Sequence, residues 1–123
     1  MVSVWDGRVV SVSDNIIDIL VNRLQDEKHV IVQGVFLNLY RDGNDYCPYH
    51  ADKYGTDVYT ISFGETRDIL IKPNASGTKS VKITLKSGDM YYMAKELHDT
   101  HKHSVPKRKN VGKTRISMVF FTN

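Results

Sequence analysis

The sequence predicts a mainly β domain with one N-terminal helix, its strands arranged as an antiparallel sandwich or jelly roll with the helix packed outside. Three observations carry that expectation. One segment near the N-terminus has apolar residues at helical spacing. The remainder breaks into short apolar or alternating runs, and turn-forming residues separate those runs at close intervals. A chain of 123 residues suits one domain with one core, spanning 1–123. Within it, residues 1–34 form a helix-bearing N-terminal region and 35–123 the β core.

The helix comes first. Ser13 or Asp14 caps it, Asp18 lies near its positive end, and Ile16, Ile17, Leu20, Val21 and Leu24 form one apolar face. It ends near Lys28. Strands are expected at 29–32, 35–40, 58–63, 68–72, 80–85, 90–93 and 115–121. Turn signals lie between them: Arg41-Asp42-Gly43-Asn44, Gly64, Pro73-Asn74-Ala75-Ser76-Gly77 and Ser87-Gly88-Asp89. Residues 93–113 read as a long polar loop, and long loops in compact domains are often functional. There is no internal repeat.

Composition narrows the function classes. No apolar run approaches the ~20 residues of a membrane span. The N-terminal MVSVWDGRVV lacks the basic-then-apolar layout of a secretory signal. Cys47 is the single cysteine, so no intrachain disulfide is possible, and a reducing, cytoplasmic compartment is the simplest expectation. A net charge of +3 does not by itself argue for nucleic acid, but its distribution is uneven. Lys102, Lys107, Arg108, Lys109, Lys113 and Arg115 fall in one acid-free stretch, which reads equally as a solvated loop or a phosphate-contacting one.

The chemistry-bearing residues form pairs two apart. In a strand such residues share a face, so His50 and Asp52 can reach one metal ion. Two imidazoles and a carboxylate on one side of iron(II) leave positions open for a bidentate ligand and O2. His103 is the best third ligand, with His98 and His101 as rivals that spacing does not exclude. Arg115 and Ser117 form a second pair. An arginine fork matches a carboxylate, and an inward arginine needs an anionic partner. Asn38 and Tyr40 are the third pair, with Phe36 on their face and Leu37 and Leu39 pointing the other way.

Taken as an ordered set, NLYRDGNDYCPYHAD (38–52), ISFG (61–64), SGDMYYM (87–93), HSVPK (103–107) and TRIS (114–117) resemble AlkB-like dioxygenases, from about Val35 to Phe121. The resemblance implies a double-stranded β-helix. It implies Fe(II) on His50, Asp52 and His103, and 2-oxoglutarate held by Asn38, Tyr40 and Arg115, with Ser117 beside them. O2 would be the oxidant and ascorbate a reductant. The reaction implied couples decarboxylation of 2-oxoglutarate to succinate with C–H hydroxylation; on N-methylated bases the product then loses formaldehyde. Ser117 and Phe121 stand where the family often has Asn and a second Arg, and Tyr54 where an acid is common. Arg-x-Ser is usual in the wider 2-oxoglutarate oxygenase group.

The functional expectation is oxidative demethylation of N-alkylated bases. With only 37 residues before Asn38, little lid is expected over the substrate, which favours single-stranded RNA or DNA. Trp5 would stack on a base or pack on the sheet. Lys102, Lys107, Arg108 and Lys109 would engage phosphates, and Tyr54 would face the substrate. A monomer is assumed. The rival readings are hydroxylation of a protein side chain or small molecule, and a non-catalytic jelly-roll module holding a structural metal.

Overall fold

A computed structural model describes residues 16–52, 55–75 and 77–123, together with the backbone of two short strands before them. Those strands, β1 (Val2–Ser3) and β2 (Val9–Val10), pair with each other. Then come α1 (Ile16–Lys28), β3 (Val32–Tyr40), β4 (Cys47–His50), β5 (Asp57–Gly64), β6 (Arg67–Pro73), β7 (Val81–Leu85), β8 (Met90–Met93), α2 (Leu97–Thr100), β9 (His101–Val105) and β10 (Arg115–Thr122). Ser13, Asp14, Trp5 and Tyr54 lie outside the described residues.

Two four-stranded antiparallel sheets, ordered β3-β10-β5-β8 and β4-β9-β6-β7, face one another as a double-stranded β-helix. Strand parity explains how one element serves two compartments. On β10, Arg115, Ser117, Val119 and Phe121 point between the sheets. Met118 and Phe120 point outward, where with Val35 and Tyr59 they pack against Leu24 of α1. Ile17, Leu20 and Val21 complete the apolar helix face, as their spacing predicts. Ile16 does not join it: at the first turn it is 62% exposed.

Three strand expectations need correction. The runs at 29–32 and 35–40 are not two strands. His29 takes φ +54 to end the helix, and β3 then runs unbroken through Gly34, whose missing side chain would meet nothing within 4 Å. Residues 93–113 are not one loop, because α2 and β9 lie inside it. β9 escapes a hydrophobicity reading because it buries His103 and Ser104 where a core strand would place apolar residues. β4 was also unexpected. Pro48 argues against a central strand, but β4 is an edge strand, where the absent N–H breaks no ladder.

Among the described residues, no helix is long and apolar enough to cross a membrane.

Candidate active site

Between the sheets lies a cavity of about 180 Å³, and Asn38, Tyr40, His50, Asp52, His103, Arg115 and Ser117, all singled out from sequence, line it. His50 and His103 arrive by register. They are direct cross-strand partners on β4 and β9, and their rings sit 4.1 Å apart. Asp52 arrives differently from the expected strand phase. β4 ends at His50, and the chain leaves the sheet before Asp52 turns back. The Asp52 carboxylate stands 3.6 Å from His50 Nε2 and 3.5 Å from His103 Nε2. The three donor atoms fall within 4.8 Å of one another. Ligands at right angles on a metal about 2.1 Å away lie about 3 Å apart, so small side-chain movements close this set around an ion.

The surroundings fit a metal. His50 Nδ1 lies 2.8 Å from the Pro48 carbonyl and donates its N–H there, which leaves Nε2, on the Asp52 side, as the ring nitrogen a metal would take. His98, one rival ligand, is buried behind the site. Its Nδ1 accepts the Asp52 backbone N–H at 3.2 Å, and burial pushes its pKa down, so it is neutral and braces the ligand loop. His101, the other rival, bonds Thr100 Oγ1 at 2.7 Å. Neither belongs to the three-donor cluster.

Without metal, His50 has its pKa raised from 6.5 to about 9, through its contact with the Cys47 thiol first, with the Pro48 carbonyl and Asp52 adding and burial opposing. Metal must displace that proton. Metal affinity is therefore expected to rise with pH up to about 9, with proton release visible by calorimetry in buffers of different ionisation enthalpy. A pH-independent affinity between 6.5 and 9 would contradict it. The stability that His50 lends the metal-free fold has the opposite trend: it is fully present below 6.5 and lost as pH rises through about 9.

The other end of the cavity is built by β10 and β3, where Arg115 pairs with Tyr40 and Ser117 with Asn38. Asn38 Nδ2 donates to Ser117 Oγ at 3.2 Å, and Arg115 Nη2 donates to Ser62 Oγ at 2.8 Å. The guanidinium also lies 5.2 Å from the Tyr40 ring centroid. Burial pushes Tyr40 up to about 12, so its phenol keeps its proton. Arg115 is 2% exposed, and its Nε and Nη1 have no partner. Among the described residues, no carboxylate forms an ion pair with it. A buried guanidinium with two unused donors is costly unless an anion enters the cavity. A carboxylate is the group that matches its planar fork.

The basic residues are not brought together at the mouth. Lys102 is exposed on β9, opposite Lys72 and on the face away from His103. Lys107 lies 5.0 Å over the exposed Tyr46 ring, and Lys109 is exposed in the following turn. Arg108 donates to the Thr66 carbonyl at 3.0 Å. Sequence reading missed several cavity residues. Cys47, Thr60 and Tyr91 line the cavity directly, and Ser62 anchors Arg115. Arg67 lies fully buried behind Tyr40. Its signal was available: it shares strand parity with Ile69 and Ile71, but the strand was expected to start one residue later.

Comparisons with known proteins agree with this geometry. Residues 8–120 match the family described as the 2OG-Fe(II) oxygenase superfamily. The DNA oxidative demethylase ALKBH2 of Homo sapiens is 30% identical over 98 residues, covering 70% of this chain and 38% of that protein. ALKBH2 of Arabidopsis thaliana is 28% identical over 114 residues, covering 71% and 36%. The chain thus spans well under half the length of these relatives. A solved structure of Drosophila melanogaster CENP-C bound to CAL1 superposes with a TM-score of 0.54 at 12% identity, over 69% of this chain and 58% of that one, a likeness of fold alone. With the family model covering nearly all of the chain and His50, Asp52, His103 and Arg115 gathered on one cavity, the chain belongs to the 2OG-Fe(II) oxygenase superfamily, as an AlkB-like member.

Proposed function

We propose that this chain is an Fe(II)- and 2-oxoglutarate-dependent dioxygenase that demethylates N-alkylated bases, with single-stranded nucleic acid as its substrate. The observation that carries the oxygenase chemistry is a three-donor metal site sharing one cavity with a buried arginine that lacks an anion. The nucleic-acid reading draws support from the ALKBH2 relatives, and the exposed Lys107 and Lys109, though not gathered at the cavity mouth, are free to meet phosphates.

His50, Asp52 and His103 would hold the iron on one side. Arg115, with Tyr40 and Asn38 beside it, would take the distal carboxylate of 2-oxoglutarate and aim its keto-acid end at the metal. Iron and 2-oxoglutarate, when bound, would let O2 act as the oxidant: one oxygen atom would end in succinate as CO2 leaves 2-oxoglutarate, and the other in the substrate C–H bond, whose hydroxymethyl product would release formaldehyde. Phe36, Val119 and Phe121 wall the cavity with apolar surface, which limits water. A volume of about 180 Å³ is below the ~300–1,000 Å³ usual for whole small-molecule ligands. The cavity thus admits the cosubstrate and the reactive end of a larger substrate, which suits a methyl group presented on a base. Among the described residues the metal cluster has three protein donors, whereas structural zinc is normally closed by four, so a purely structural metal fits poorly.

The test is to follow succinate and formaldehyde from iron-loaded protein offered methylated single strands, duplexes and peptides. Strand binding is expected to weaken with salt. Removing Lys107 and Lys109 together should flatten the log–log salt slope by about 1.4, the share of two single-strand phosphates. Arg108 is left in place because it also holds the Thr66 carbonyl. Succinate formed with peptides, with methylated strands left intact, would move the assignment to protein hydroxylation.

A further inference from the structure

Arg67 is the most buried charged side chain among the described residues, at 1% exposure, and it does not line the cavity. Its guanidinium reaches three backbone carbonyls on two separate pieces of chain. Nη1 donates to the Asp42 carbonyl at 3.1 Å; Nη2 donates to the Asp45 carbonyl at 2.8 Å and the Pro106 carbonyl at 2.7 Å. Those bonds tie the turn after β3 to the segment after β9, just beyond Tyr40 and His103. The same junction is closed by Arg108 N–H to Gly43 O and Gly43 N–H to Val111 O, both 2.9 Å, and a Cβ at Gly43 would collide with the Arg108 carbonyl.

A backbone clamp does not explain the rest of the geometry. The Arg67 guanidinium carbon sits 5.3 Å from the Tyr40 ring centroid, while that of Arg115 sits 5.2 Å from the same ring. One phenol thus carries two buried cations. They repel each other, and burial and that repulsion both push Arg67 down. The carboxylate nearest in influence, Asp45, is already engaged by Arg41 through two side-chain bonds of 2.9 and 3.0 Å. The local field is therefore positive and short of anions, and a dicarboxylate entering beside Arg115 relieves it.

We propose that Arg67 is a positioning residue for the cosubstrate, acting through Tyr40. It fixes the phenol by cation–π contact and by pinning the turn that follows it. The proposal rests on the assignment of Arg115 and Tyr40 as the cosubstrate anchor.

The test is calorimetric titration of 2-oxoglutarate into Mn(II)-loaded wild type, Arg67→Gln, Tyr40→Leu, the double variant and Arg115→Ala. Arg67→Gln is expected to weaken 2-oxoglutarate about tenfold with Mn(II) affinity unchanged. The double variant should be no weaker than Tyr40→Leu alone, because the route runs through that ring. Unchanged affinity in Arg67→Gln, or losses that add to those of Tyr40→Leu, would leave Arg67 as a structural clamp and overturn the proposal. If the glutamine variant does not fold, Arg67→Lys enters the same cycle, and the same non-additivity decides. Full affinity in Arg115→Ala would instead overturn the anchor assignment itself. Loss at Arg115 with none at Arg67 sinks the positioning role alone.

Discussion

Asp52→Ala is expected to abolish both metal retention and succinate formation while leaving the fold intact. Asp52 is the single carboxylate in the three-donor cluster, facing both imidazoles at 3.5–3.6 Å. Its removal costs more than the about 10–100-fold typical of losing a group that only hydrogen-bonds to a metal ligand. The fold should survive because Asp52 lies past the end of β4, outside any ladder. In metal-free protein the carboxylate is held below its usual pKa by His103, then His50, against burial, so its loss also frees both imidazoles from an anionic neighbour. Equilibrium dialysis with Mn(II), alongside a thermal melt, reads the two effects separately. Wild-type metal affinity in Asp52→Ala would remove it from the ligand set. His103→Ala should behave likewise; if it keeps its metal, the buried His98 behind the site becomes the replacement to examine.

Arg115→Ala should weaken 2-oxoglutarate by about a hundredfold or more, since charge-assisted hydrogen bonds contribute about 1.5–3 kcal/mol each and the fork offers two unused donors. Its effect on stability separates a ligand-binding arginine from a structural one. A structural arginine leaves orphaned partners when cut back. Among the described residues Arg115 has no ion-pair partner and holds Ser62 Oγ beside the neutral Tyr40, so cutting it back also removes an uncompensated buried charge. The unliganded melting temperature should therefore change little, while the stabilisation that 2-oxoglutarate gives wild type should vanish. A large drop in unliganded stability with retained 2-oxoglutarate affinity would reverse the assignment. Asn38 and Tyr40 substitutions should weaken the cosubstrate less, since neither carries a charge.

The fold class and most elements were legible because they rest on local pattern. The α1 face at Ile17, Leu20, Val21 and Leu24 announces itself through a period of 3.6, and β5, β6 and β10 as short runs rich in β-branched, aromatic and other apolar residues. The pairs Asn38/Tyr40 and Arg115/Ser117 were readable for the same reason. Each is a same-face pair on a regular strand, and the register of β10 with β3 puts them side by side. The elements that carry the candidate metal donors were the least legible. β4 contains a proline, and β9 places His103 and Ser104 at buried positions, so neither shows the apolar signature of a strand.

What the sequence by itself determined is the inventory: one helix, a set of short strands, and donor types in an order that suits iron and a dicarboxylate. Which histidine completes the set was not local information. His98, His101 and His103 are chemically equivalent on paper. Only the pairing of β9 with β4 sets His103 opposite His50, while His98 accepts the Asp52 N–H from behind and His101 turns to Thr100. Tertiary structure likewise decided that Asp52 joins the three-donor cluster from beyond the end of β4, that Arg115 keeps two buried donors unpartnered among the described residues, and that Arg67 joins it over Tyr40. Sequence distance carries none of this, because cross-strand register and burial are set by the packing of two sheets rather than by any neighbour along the chain.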